Sequence, residues 1–134
     1  MKKMFTFLKK LGFCFVVLWL AACSSQEHPG KITLEEARQQ FEAGQVSLVD
    51  IRETSEHQTG VAQGAVLLPM SQLSKNPSLI SNSPEKPILL ICNTQNRSKA
   101  TLEKLNALGY QNIRYVDGGM SQWAARGWPM VKPN

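Results

Sequence analysis

The sequence predicts an α/β fold, a parallel sheet flanked by helices on both faces. Short runs rich in β-forming residues, at 46–51, 65–68, 88–91 and 113–116, suit buried strands and are too short for helices. Apolar residues recur at helical spacing between and after them, and strands alternating with helices imply parallel pairing. The third observation bears on chemistry. The run at 88–91 stops at Cys92 and six polar residues follow. A thiol therefore stands at the carboxyl end of a strand, the edge where open α/β sheets bind ligands.

Taken in order, residues 24–30 are polar, include Pro29 and Gly30, and read as a tether in which His28 is simply solvated. Thr33-Leu34-Glu35-Glu36 has the capping-box pattern. The Thr33 hydroxyl can accept an orphan N–H, and Glu36 can reach back. Leu34, Ala37 and Phe41 then share a helix face ending at Gly44. Asp50 and Arg52 mark the carboxyl end of the first strand. Residues 52–64 are polar with two glycines and read as a loop. Pro69 closes the strand at 65–68, Ser71 is a candidate helix cap, and 76–87 is turn-rich with three prolines. From Ser98 onward, Ala100, Leu102, Leu105 and Leu108 are spaced as one helix face, ended by Gly109. Asp117-Gly118-Gly119 stops the last strand. Met120, Trp123 and Ala124 suit one face of a short helix ended by Gly127 and Pro129. Trp123 and Trp128 read as packing rather than a cofactor box. About 105 ordered residues bury a core of ordinary size.

Cys92 is the candidate nucleophile. The amides of the loop, the helix N-terminus behind it and Arg97 all favour the thiolate. A buried structural cysteine is the competing reading, and the polar loop with its arginine argues against it.

The first 22 residues are a different kind of sequence. Four lysines precede the ten-residue apolar run 11–20, which is too short to span a bilayer permanently but suits a signal segment. Leu20-Ala21-Ala22-Cys23 resembles the lipobox of bacterial lipoproteins, which implies cleavage before Cys23 and lipidation of that residue. The domain expectation is thus a signal at 1–22, an anchored tether at 23–31 and one domain at 32–134. The signal holds four of the 15 Lys and Arg residues and no acid, which leaves 11 bases against 10 acids. No basic patch remains, so nucleic-acid binding is disfavoured. Cys92 is then the sole thiol without lipid in an oxidising compartment, a pattern that flags reactivity. His28 and His57 lack metal-ligand spacing with it, and no cofactor is expected.

Four stretches together resemble the single-domain rhodaneses, a sulfurtransferase family. They are Val49-Asp50-Ile51-Arg52-Glu53; Gly60 through Ala65 with Pro69; Cys92-Asn93-Thr94-Gln95-Asn96-Arg97-Ser98; and Asp117-Gly118-Gly119 with Trp123, Gly127 and Pro129. The resemblance implies a five-stranded parallel sheet between helices. It also implies that Cys92 takes sulfane sulfur as a persulfide and hands it to a thiophilic acceptor. The loop residues Asn93, Thr94, Gln95, Asn96 and Arg97 would bind the sulfur or an oxyanion donor. Family loops often carry a basic residue where Asn93 stands, a glycine where Gln95 stands and a histidine where Val61 stands. The missing glycine would strain a loop that needed positive φ there, and the missing base weakens attraction for an anion.

The chemistry is coherent on its own terms. Sulfur transfer needs an attacking thiolate and an enclosure for the anionic persulfide. Arg97 can hold an oxyanion donor through paired N–H groups, and Asp50 with Arg52 reads as an ion pair supporting the neighbouring loop. The expected partners are a small sulfur-containing anion such as thiosulfate, a cyanide or thiol acceptor (a periplasmic redox protein would qualify), and a membrane reached through the lipid. Ser24 after the lipidated cysteine favours the outer membrane, with the domain facing the periplasm. Two rival functions remain open: a cysteine-dependent phosphatase or arsenate reductase, and a non-catalytic anchored binding module. Dual-specificity phosphatases that share this fold have one more residue between cysteine and arginine.

Overall fold

A computed structural model describes residues 28–134. The expected signal at 1–22, the lipidation site Cys23 and most of the tether lie outside the described residues. No helix among the described residues is long and apolar enough to cross a membrane.

Five strands form one parallel sheet: β1 (Lys31–Ile32), β2 (Ser47–Asp50), β3 (Val66–Leu67), β4 (Ile88–Ile91) and β5 (Ile113–Val116). Their spatial order is β1-β5-β4-β2-β3, which puts the fully buried β4 in the centre. Side chains on a strand alternate between faces, and that alternation sorts the core. Leu48, Leu89 and Ile91 pack with Leu34 and Ala37 of α1 (Leu34–Glu42) and with Met120 and Trp123 of the C-terminal helix Gly119–Ala125. Val49, Leu90 and Cys92 point the other way, onto Leu73 of the short helix Met70–Leu73 and onto Leu102 and Leu105 of the long helix Asn96–Ala107. In chain order, with a one-turn helix at Thr54–His57 as α2, these helices are α1 to α5.

Several expectations need correction. The strand β1 is too short for any periodicity to reveal. His28 is not a solvated tether residue. Its Nδ1 accepts the Gly30 N–H at 3.3 Å, its Nε2 lies 3.5 Å from Glu103, and its ring meets Tyr115 edge-on at 5.4 Å. The packed domain therefore extends back to His28, not 32. Thr33 does cap α1, accepting the Glu36 N–H at 3.2 Å, but the Glu36 carboxylate takes Gln40 Nε2 at 3.0 Å instead of reaching back. The loop expected at 52–64 contains α2, and Pro77–Leu79 forms a 3₁₀ turn. Ser71 lies inside α3, where its N–H and hydroxyl bind Glu53 at 3.0 and 2.8 Å. The buried face of α4 is Ser98, Thr101, Leu102 and Leu105, leaving Ala100 exposed and Leu108 at 62% exposure. Ala124 is likewise exposed.

Candidate active site

Cys92 follows the last residue of β4 and continues its alternation, so the thiol points under the start of α4. Only 1% of the residue is exposed. The Ser98 N–H donates to Sγ at 3.4 Å, and the thiol donates to Ser98 Oγ at the same distance. The Ser98 hydroxyl in turn donates to the Gln95 carbonyl at 3.1 Å. Ser98 thus touches the sulfur twice, through backbone and side chain. Its hydroxyl is a rotor, able to turn its proton toward sulfur once the thiol has lost its own. Sequence reasoning looked to the amides of 93–97 for this contact, but the recorded one comes from the first helical turn behind them.

The loop 92–95 is gripped from the opposite face of the sheet. Helix α5 lacks a side-chain cap, and its first free amides go to the loop: Met120 N–H to Cys92 O at 2.8 Å, Ser121 N–H to Asn93 O at 2.9 Å. The approach is close because Gly119, at φ +59°, has no Cβ. One placed there would overlap the carbonyl oxygens of Cys92, Asn93 and Thr94. The loop itself requires no positive φ, and Gln95 sits at φ −147°. The family glycine absent from that position therefore leaves no strain. Asn93, Thr94 and Asn96 are exposed, Gln95 is intermediate, and no side-chain hydrogen bond restrains Asn93 or Thr94 among the described residues.

Arg97 departs from its expected role. Its two terminal nitrogens are both engaged by Glu56, Nη1 to Oε2 and Nη2 to Oε1, each at 2.7 Å. The paired fork expected to hold a donor oxyanion is filled by a carboxylate of the chain. Glu56 also closes the first turn of α2, accepting the Glu53 N–H at 2.9 Å. Through Glu53 and Ser71 the contact continues to α3, so the first turns of three helices are tied together beside the thiol. The sequence offered one signal for this: Glu53-Thr54-Ser55-Glu56 carries an acid where an N-terminal helical turn wants one.

Asp50 and Arg52 form the expected ion pair, buried to 1% and 4% side-chain exposure. Arg52 Nε lies 3.0 Å and Nη2 2.6 Å from the Asp50 carboxylate, and Nη2 also donates to Gly60 O at 2.8 Å. Buried His57 joins them with Nε2 at 3.2 Å from Asp50 O and 3.4 Å from Oδ1. Sequence reasoning gave His57 no role because nothing marks its partner seven residues earlier. Asp50 pairs in register with Ile91, which places the cluster one strand from Cys92. The next stretch is anchored by Val61, buried in a two-way pairing with Val131 at 2.8 Å. Among the described residues no three His, Cys, Asp or Glu side chains gather to hold a metal.

A sequence profile of the rhodanese-like domain matches residues 33–126. The chain belongs to the rhodanese-like family. It is 37% identical over 100 residues to slr1261 of Synechocystis, an uncharacterized protein, covering 75% of this chain and 53% of that one. The chain thus spans about half the length of this relative. Identity to YqhL of Bacillus subtilis, also uncharacterized, is 30% over 114 residues, covering 84% of this chain and 86% of that one. Among solved structures, a rhodanese-related protein of Thermoplasma volcanium superposes with a TM-score of 0.67 at 28% identity, over 77% of this chain and 98% of its own. The fold is shared also with RPA3614 of Rhodopseudomonas palustris, described as a possible tyrosine phosphatase. That match has a TM-score of 0.65 at 20% identity, over 75% of this chain and 83% of that one.

The Glu56–Arg97 pair gives this rhodanese-like domain a measurable acid dependence. The Arg97 guanidinium, helped by the Glu53 N–H and opposed by burial, holds the Glu56 carboxyl at about 2 against an ordinary 4.5. The same pair pushes Arg97 up. A depressed carboxyl stabilises the fold fully above its unfolded value near 4.5. That stabilisation fades as pH falls from about 5 toward 2, because the unfolded chain takes up its proton first. With the two side chains 32% and 33% exposed, solvent screening holds the contribution to about 1 kcal/mol. Glu56→Gln is expected to lower Tm by about 5 °C at pH 7, with the gap narrowing from pH 5 toward pH 2 in thermal melts followed by circular dichroism. A gap independent of pH would mean that the pair does not carry the effect.

Proposed function

We propose that the protein is a sulfurtransferase in which Cys92 carries sulfane sulfur as a persulfide from an anionic donor to cyanide or a thiol. The observation that carries the reading is the setting of Sγ. It lies at the carboxyl end of the central strand, with an N–H and a hydroxyl of Ser98 at 3.4 Å and no base needed. The thiolate attacks the outer sulfur of thiosulfate, the S–S bond breaks, and sulfite leaves with the electron pair. A thiophilic acceptor then removes the outer sulfur and restores the thiolate. Sγ is covered at rest, with 1% of Cys92 exposed, so a donor reaches it only when that cover shifts.

A phosphatase reading is less well supported. Four residues separate Cys92 from Arg97, one fewer than in the dual-specificity phosphatases that share this fold. An anchored position at the cell envelope, facing the periplasm, belongs to the same proposal and rests on the sequence around Cys23. Peptide mass spectrometry of the protein from membranes after thiosulfate treatment tests both parts. The expected result is an N-terminal peptide beginning at diacylated Cys23 and a Cys92 peptide heavier by one sulfur. An unmodified Cys92 peptide would sink the transfer reading, and an intact, unlipidated leader the anchor.

A further inference from the structure

Arg97 is the one cation in the stretch from Cys92 to Arg97, since residues 93–96 are uncharged. The residue after it, Ser98, gives its N–H to Sγ at 3.4 Å, and the charge of Arg97 interacts with a Cys92 thiolate. A guanidinium so placed can neutralise the oxygens of a donor such as thiosulfate through two parallel N–H groups. Both terminal nitrogens are held instead by Glu56, at 2.7 Å each. The carboxylate is fixed from its own side as well. Its Oε2 accepts the Glu53 N–H at 2.9 Å, and the Glu53 side chain is bound to Ser71. Yet the pair can open. Its side chains are 32% and 33% exposed, and Arg97 borders the cleft between α3 and α4. Water can therefore solvate both partners as they separate, which it could not do for a buried pair.

We propose that Glu56 is a specificity-determining residue, an internal carboxylate that competes with the donor's oxyanion for the Arg97 fork. The inference rests on the sulfurtransferase reading and concerns donor selection at the same thiol. Binding of an oxyanion donor is then an exchange of ligands. The donor's oxygens take Nη1 and Nη2, while Glu56 turns to water and keeps the Glu53 N–H. No covalent bond or proton moves in this step. Apparent affinity for such a donor is lowered by the fraction of molecules in which the fork is free. Cyanide, an acceptor without oxygen, meets no such competition.

Glu56→Gln keeps an acceptor for the Glu53 N–H and removes the charge that holds Arg97. In the full chain the KM for thiosulfate is expected to fall by on the order of tenfold, with the KM for cyanide unchanged. Sulfate, an oxyanion with no sulfur to give, should compete with thiosulfate and tighten by the same factor. In an Arg97→Gln background, Glu56→Gln should alter neither value, because no fork is left to free. Glu56→Asp draws the charge back by one carbon and should fall between wild type and Glu56→Gln, which keeps the test open if the glutamine variant does not fold. Equal thiosulfate KM values in wild type and both Glu56 variants would overturn the inference. So would a gain that persists without Arg97, since Glu56 would then act by repelling the donor directly. A parallel change in the KM for cyanide would overturn it too, by assigning Glu56 to the shape of the loop. If no thiocyanate forms at all, the transfer reading itself falls, and calorimetric titration of sulfate into the same variants decides the competition alone. Tighter binding by Glu56→Gln only where Arg97 is present upholds it, and no gain overturns it.

Discussion

Cys92→Ser is expected to abolish thiosulfate-to-cyanide sulfur transfer, a loss on the order of a thousandfold or more, while the domain stays folded. The chemistry asks for a nucleophile that is an anion without help from a base, and among the described residues Sγ hydrogen-bonds to Ser98 and to no base. A serine hydroxyl there stays protonated and cannot hold sulfane sulfur. Its burial is tolerable because the polar partners are already present: the Ser98 N–H and hydroxyl that face Sγ at 3.4 Å can serve an oxygen after a small shift. Thiocyanate formation and a thermal melt, run on the same preparation, separate the two parts. Turnover at the wild-type rate would remove Cys92 from the mechanism, whereas a collapsed melt would make the loss of activity uninformative about chemistry.

Gly119→Ala should produce the largest loss of stability by a single methyl group. Its φ of +59° already disfavours any side chain. Beyond that, the new carbon would collide with three carbonyl oxygens of the cysteine loop, and backbone cannot swing aside as a side chain can. Relief requires α5 to retreat, which forfeits the Met120 and Ser121 hydrogen bonds to the loop. Two lost hydrogen bonds and a strained backbone together amount to about 3 kcal/mol, or a Tm lower by about 15 °C for a domain of this size. Transfer activity should fall with it even at temperatures where the variant is folded, because the loop carbonyls lose the amides that fix them. Gly127→Ala is the control: φ is +65° there, but no atom lies within 4 Å of the added carbon. If the two variants melt together, collision with the loop is not what matters at Gly119.

Much of this arrangement was legible in the sequence because it rests on local signals. The four apolar runs became β2 to β5, the polar break after Ile91 became the cysteine loop, and Asp50 with Arg52 became a buried ion pair. What escaped was set by contacts between distant parts of the chain. Helix α2 has only four residues and is held by Glu53 binding Ser71 and Glu56 binding Arg97, 41 positions away. No periodicity exists in one turn. Arg97 was legible as a cation beside the thiol, but its partner depends on where α2 comes to rest. Ser98 was legible as polar, yet its double contact with sulfur follows from the angle at which α4 leaves the loop. Ala100 and Leu108 fit the apolar spacing of one helix face yet stay exposed, because α3 is too short to cover them.

The near-complete enclosure of the Cys92 sulfur also limits which covalent fates are open to it. A disulfide between two copies requires the sulfurs to meet at about 2.05 Å, with their Cα atoms about 4.4–6.8 Å apart. Two folded domains cannot reach that geometry when each thiol is 1% exposed behind a loop. Cys92 is the free cysteine among the described residues, and two folded domains held in air are therefore expected to form no Cys92–Cys92 crosslink.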